Sequence, residues 1–314
     1  MRLVTYEPAA GCERLGIVVG TYVVDAALAS AACEPSAKAG APTLPSDMMA
    51  FLDEGDAAIQ TAGRVLKWAG QQLERSKRVL AASGEVISYA LSDVRLRAPV
   101  PRPPKILCLA LNYKAHAVEG NVNLPEKPYV FIKPGFAPVV GTNDKVIRPP
   151  ESQNFVFEGE LGVVIGKRCR DVARDKAYEV VIGYTNTNDM SARDLGKVPT
   201  IPGLFDWFAA KAFDTSLPMG PMLVLKDEIP DPHTLRLQVR VNGSTVQDET
   251  TERMLFKVPE TIEYISGLIT LEPGDIICTG TPGGSKGALK AGDVVEVEIG
   301  DMGTLSSPIA DKEG

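Results

Sequence analysis

The chain has 314 residues, of which 44% are hydrophobic and 23% charged, ordinary globular values that exclude a disordered polymer. Its 33 basic and 40 acidic residues leave a net charge of −7, which offers no broad attraction for nucleic acid or anionic lipid. No apolar run approaches the roughly 20 residues of a membrane helix, and Met1-Arg2-Leu3-Val4-Thr5-Tyr6-Glu7 lacks a signal-type core, so the cytoplasm is the expected compartment.

Residues 1–98 read as a small α+β domain. Strand runs at Arg2 to Tyr6, Arg14 to Val19 and Tyr22 to Val24 precede a helical stretch from about Asp47 to Arg78, where Met49, Phe51, Leu52, Ile59, Val65 and Leu66 recur mostly at helical spacing, in one or two segments. Ala98-Pro99-Val100-Pro101-Arg102-Pro103-Pro104 is too rich in proline for a central strand and marks the boundary. Residues 99–314 form the second expected domain and are β-rich. Strand runs are expected at Lys105 to Leu111, Tyr129 to Lys133, Phe155 to Ile165, Ile182 to Asn188, Met222 to Leu225, Leu235 to Val241, Asp275 to Thr279 and Val294 to Ile299. Helices are expected at Lys176 to Val181 and Pro259 to Leu268, and Asn242-Gly243 reads as a hairpin turn. The five scattered cysteines contain no Cys-x-x-Cys pair and are expected to be reduced and structural.

Chemistry concentrates in the second part. In Phe155-Val156-Phe157-Glu158-Gly159-Glu160-Leu161 two acids lie two apart in an apolar run, so strand geometry puts both on one face. They are either a solvated edge or a pair whose repulsion a cation relieves. Asp189, ending the run Ile182 to Asp189, adds a third carboxylate, and three acids without nearby Cys or His suit magnesium or manganese better than zinc. His116 follows a strand run with Glu119 three residues on, either a surface helical pair or an oriented base. Lys211 and Lys133 stand alone among apolar residues, as anion anchors or as snorkelling side chains. Thr279-Gly280-Thr281-Pro282-Gly283-Gly284 is either an anion-binding loop or a plain turn. His233 reads as solvated surface. Gly283-Gly284-Ser285-Lys286-Gly287 fits a nucleophile-elbow pattern, but the adjoining Ala288-Leu289-Lys290-Ala291-Gly292-Asp293 is too short and reaches a glycine too soon for the required helix.

Taken together, Asn112-Tyr113-Lys114-Ala115-His116-Ala117-Val118-Glu119, the Glu158-Gly159-Glu160 motif, Asn188-Asp189-Met190-Ser191-Ala192-Arg193-Asp194, Lys211-Ala212-Phe213-Asp214-Thr215 and Thr279-Gly280-Thr281-Pro282 resemble motifs of the fumarylacetoacetate hydrolase family, in its two-domain bacterial type with a small N-terminal domain. The resemblance covers about residue 105 to the C-terminus. It implies a mixed β-roll, a magnesium or manganese ion on Glu158, Glu160 and Asp189, a homodimer, and a lid near residues 114–122. It further implies water activation by His116 with Glu119, a catalytic Lys211 that stabilises the departing enolate, and substrate contacts from Tyr113, Lys133, Arg193, Gly280 and Thr281. Relatives often carry Gln where this chain has Gly196, and residues 199–208 look like an insert, so the pocket is expected to differ there.

The expected activity is metal-dependent hydrolysis of a carbon–carbon bond in an acylpyruvate or fumarylpyruvate-like β-diketo acid. The alternatives are a decarboxylase, isomerase or tautomerase working through a metal enolate, on oxaloacetate or a hydroxymuconate-type intermediate, and a metal-binding protein without turnover.

Overall fold

The apolar runs near the N-terminus pair as antiparallel strands, Arg2–Glu7, Arg14–Val19 and Tyr22–Asp25, and the last leads straight into a helix, Ala26–Cys33, that the sequence did not announce. This computed structural model describes residues 1–8, 12–33, 43–201, 203–283 and 287–312. The expected helical stretch is two helices, Met48–Glu54 and Asp56–Arg75, parted at Gly55, whose φ of 58° suits glycine. Asp47 caps the first by accepting from the Ala50 N–H.

Among the described residues the larger sheet has twelve strands. Arg2–Glu7 pairs with Leu217–Leu225, which continues through Val181–Asn188, Gly159–Ile165, Ile276–Cys278 and Ile106–Ala110 to the edge strand Tyr129–Lys133. The sheet therefore runs from the N-terminal residues into those beyond the proline-dense stretch. One core cluster joins Leu3, Phe51 and Val65 to Ile106, Val164 and Leu223. Ile276–Cys278 lies parallel to Ile106–Ala110, whereas most other pairs are antiparallel, as a mixed sheet requires. A second, five-stranded sheet contains the Asn242-Gly243 hairpin, with Ser244–Thr250 beside Arg236–Val241, then Val294–Ile299, Thr304–Asp311 and Val146–Arg148. Gly159 lets it pack close: a Cβ there would lie 2.6 Å from Val239 and 3.2 Å from Val297. The α+β, β-rich class expected from the sequence is the class observed.

Three differences bear on the site. The expected strand Phe155 to Ile165 is two strands, Phe155–Val156 and Gly159–Ile165, because the Glu158 N–H leaves the ladder to donate to the Asn188 side chain. At the end of the insert-like segment 199–208 a short helix, Trp207–Lys211, begins, capped by Asp206, while Pro202 lies outside the described residues. His233 is not simply solvated: its Nε2 accepts from the Val258 N–H at the start of the helix Val258–Leu268. Gly284, Ser285 and Lys286 of the elbow-like pattern lie outside the described residues. Among the described residues no helix is long and apolar enough to cross a membrane.

Candidate metal centre

The end of one strand pair gathers the three acids. Glu160 stands opposite Thr187 and Gly159 opposite Asn188, so the chain leaving Asn188 passes beside Glu158. The Asp189 N–H donates to the Glu158 carbonyl at 2.8 Å and holds the third carboxylate there. Glu158, Glu160 and Asp189 are all buried, and one oxygen from each lies within 4.8 Å of the others. Among the described residues no other group of His, Cys, Asp and Glu side chains is so placed.

Two lysines and an arginine meet this cluster. Lys211 Nζ lies 2.6 Å from Glu158 Oε2 and 2.7 Å from Asp189 Oδ2. Lys133, wholly buried, reaches Asp189 Oδ1 at 2.5 Å and donates to the Ser216 carbonyl. Arg193 is 3.1 Å from Glu158 Oε1. Burial alone would raise the Glu158 pKa, but the charges of Lys211, His116 and Arg193 lower it to about 2. Glu160 goes the other way: burial, then repulsion from Asp189 and the influence of Cys278 and Glu158, pushes it well above the carboxylate range. Burial disfavours the Lys211 ammonium, yet Asp189 and Glu158 outweigh that and raise its pKa.

These residues fit a hard divalent cation. The donors are all oxygen, the ligand type magnesium and manganese prefer, and positive charge would relieve the repulsion that drives Glu160 toward its neutral form. The same three carboxylates would hold it.

The other candidate residues surround this floor. His116 and Glu119 lie on the helix Lys114–Glu119, against the Thr-Gly-Thr-Pro turn: a Cβ on Gly283 would come 2.5 Å from Glu119 Oε2 and 3.1 Å from His116 Cα. His116 Nδ1 is buried without a hydrogen-bond partner, and so is the Tyr113 hydroxyl, whose pKa is raised by burial and then by the charges of Glu160 and Glu249. Such groups are uncommon in a finished interior. The Gly280 N–H donates to Glu160 Oε2 at 2.7 Å, and Thr281 is buried beside the Gln247 amide. His116, Arg193, Lys211, Glu158 and Thr281 share one cavity of about 680 Å³.

Two supporting side chains escaped the sequence reading. Asn112 donates to the carbonyls of Thr279 and Phe256 and accepts from the Phe256 N–H, clamping the turn against the strand that precedes the helix. It belonged to a motif already noted, and Leu111 before it holds a φ of 58° rarely found outside glycine, a strain typical of functional segments. Gln247 donates to Thr281 Oγ1 and to the Gly283 carbonyl. It sits in a polar strand that carries no sequence signal.

A buried cluster of three carboxylates that could hold a metal ion, on a mixed-sheet β-rich fold and beside a histidine-bearing helix, narrows the class of protein. Residues 105–310 match the family described as fumarylacetoacetate (FAA) hydrolase, C-terminal. The mitochondrial oxaloacetate tautomerase fahd2 of Xenopus laevis is 40% identical over 280 residues, 85% of this chain and 80% of that protein. Among solved structures, the maleylpyruvate hydrolase of Sphingobium sp. SYK-6 in complex with manganese(II) and pyruvate is 29% identical with a TM-score of 0.72, covering all of both chains. The 5-carboxymethyl-2-hydroxymuconate delta-isomerase of Mycobacterium smegmatis is 28% identical with a TM-score of 0.72, over 99% of this chain and all of the other. The chain belongs to the fumarylacetoacetate hydrolase family.

Proposed function

We propose that this protein is a divalent-metal-dependent enzyme that hydrolyses a carbon–carbon bond in an acylpyruvate. The supporting observation is His116 Nδ1, buried without a partner on a helix that lines the same cavity as Glu158. When bound to Glu158, Glu160 and Asp189, magnesium or manganese supplies the positive charge that stabilises an enolate. His116, with Glu119 on the same helix turn, takes a proton from water for attack on the distal carbonyl. Lys211 keeps a positive charge at the cavity floor, Arg193 and Thr281 orient substrate oxygens from the cavity wall, and Gly280 acts through Glu160, to which its N–H donates. Lys133 acts through Asp189, which it holds in place, and Tyr113 offers its unpartnered hydroxyl beside Glu160.

A second reading, enol–keto tautomerisation of an oxo-acid such as oxaloacetate, is favoured by the 40% identical relative of that name. It uses the same floor and needs no water attack. Incubation with magnesium and either acetylpyruvate or oxaloacetate separates the two. Acetate with pyruvate from the former supports hydrolysis; loss of the enol absorbance of oxaloacetate without cleavage, and intact acetylpyruvate, supports tautomerisation instead. We also propose a homodimer, for which exposed Ile132, Phe136 and Phe208 supply apolar surface, and sedimentation velocity tests it.

A further inference from the structure

Strand alternation grades one wall of the cavity from charged to apolar. Lys133, Phe131 and Tyr129 share a face of the edge strand Tyr129–Lys133 and pass from buried through half-buried to exposed. Lys133 ends on Asp189, while the Phe131 ring lies 5.3 Å from Lys211 Nζ. Phe131 stacks on Trp207 with centroids 4.6 Å apart and planes 20° apart, and Trp207 meets Phe205 nearly edge-on at 4.8 Å and 67°. All three rings line the cavity that reaches Glu158 and His116. They form one continuous aromatic surface leading outward from the carboxylates.

Gly196 makes room for the last ring. A Cβ there would fall 2.3, 2.5 and 2.8 Å from three atoms of Phe205, so any side chain would displace the ring. The backbone holds the ring in place: Lys197 bridges to Phe205, and the Asp206 N–H donates to the Gly196 carbonyl at 2.8 Å. Asp206 then caps the helix Trp207–Lys211, so Trp207 of the wall and Lys211 of the floor ride on one short element.

We propose that this wall makes the enzyme select acylpyruvates whose acyl group is flat and apolar, aryl groups foremost, over those ending in a second carboxylate. The inference rests on the acylpyruvate reading above and names its substrate class. Ring faces carry partial negative charge, and a carboxylate laid against them loses hydration without gaining a partner. Of the cations lining the cavity, Lys211 and Arg193 face Glu158 at the inner end, where they meet the pyruvate unit, and Lys197, beside Phe205, is exposed to solvent, where a charge pair is worth little. A volume of about 680 Å³ leaves space for an aryl ring beyond a pyruvate unit.

Calorimetric titration of magnesium-loaded protein tests this, with pyruvate on the wild type and with benzoylpyruvate and fumarylpyruvate in a His116→Ala background that keeps them uncleaved. Benzoylpyruvate is expected to bind at least about tenfold more tightly than fumarylpyruvate, with Phe205→Ala and Gly196→Ala each bringing that ratio close to parity. Fumarylpyruvate binding as tightly as benzoylpyruvate, with pyruvate bound normally, overturns this inference alone. A ratio untouched by both variants overturns it too. Pyruvate that fails to bind the metal-loaded wild type overturns the acylpyruvate reading and this inference with it.

Discussion

Asp25 and Glu160 are buried to the same degree, each 1% exposed, yet their surroundings are opposite in kind. Asp25 accepts from the Tyr6 hydroxyl at 2.8 Å and from the Leu28 N–H at 2.9 Å, and pairs with the Arg14 guanidinium. It thus joins two strands to the start of a helix and serves as structural glue. Glu160 faces two further carboxylates and is driven toward its neutral form, in a site where a histidine nitrogen and a tyrosine hydroxyl also lack partners. A buried acid with a complete set of partners stabilises the fold; one that faces other carboxylates with no cation of its own is where a cation could sit.

Substitutions can break this contrast. The largest effect is expected for Glu160→Ala, which removes measurable magnesium binding in calorimetry because two remaining carboxylates hold a hard cation poorly; unchanged affinity would dissolve the centre. Next, if the proposed hydrolysis holds, His116→Ala is expected to keep the metal while product formation from an acylpyruvate falls about 10² to 10⁴-fold. Asp25→Ala is expected to leave metal affinity alone but lower unfolding free energy by about 2–4 kcal/mol in urea titrations, since Tyr6, Arg14 and the helix start lose a common partner.

The smallest effect concerns pH in metal-free protein. The Glu160 pKa is raised in the folded state, so its stabilising contribution is complete below its unfolded value near 4.5 and is lost as pH rises through the raised one. Glu160→Gln is therefore expected to gain stability relative to the wild type with rising pH, and urea midpoints across a pH series would show it. Magnesium should cancel the difference by stabilising the wild type alone.

The acids of the centre were legible because charges two apart in an apolar run are anomalous on their face, and Asp189 ended a run of the same kind. Strand periodicity located Tyr129–Lys133 and Val294–Ile299 to the residue. What escaped was long-range or lacked period. Arg2–Glu7 pairs with a strand over two hundred residues away, a register that no local pattern encodes. The helix Ala26–Cys33 is nearly all alanine and small residues, with no amphipathic stripe to reveal it. Glu158 leaves the ladder because of a side chain thirty residues on, so a single continuous strand was the natural local reading. The aromatic wall was invisible because Phe131, Gly196 and Phe205 meet only in three dimensions.

The ring stack also turns the cavity into its own optical reporter. The chain has two tryptophans: Trp207 stands in the wall, and Trp68 lies on the helix Asp56–Arg75 against the N-terminal core. In a Trp68→Phe protein the remaining tryptophan emission would come from the cavity alone, so the arrival of a molecule there could be followed as quenching in real time, without a label and without waiting for a product.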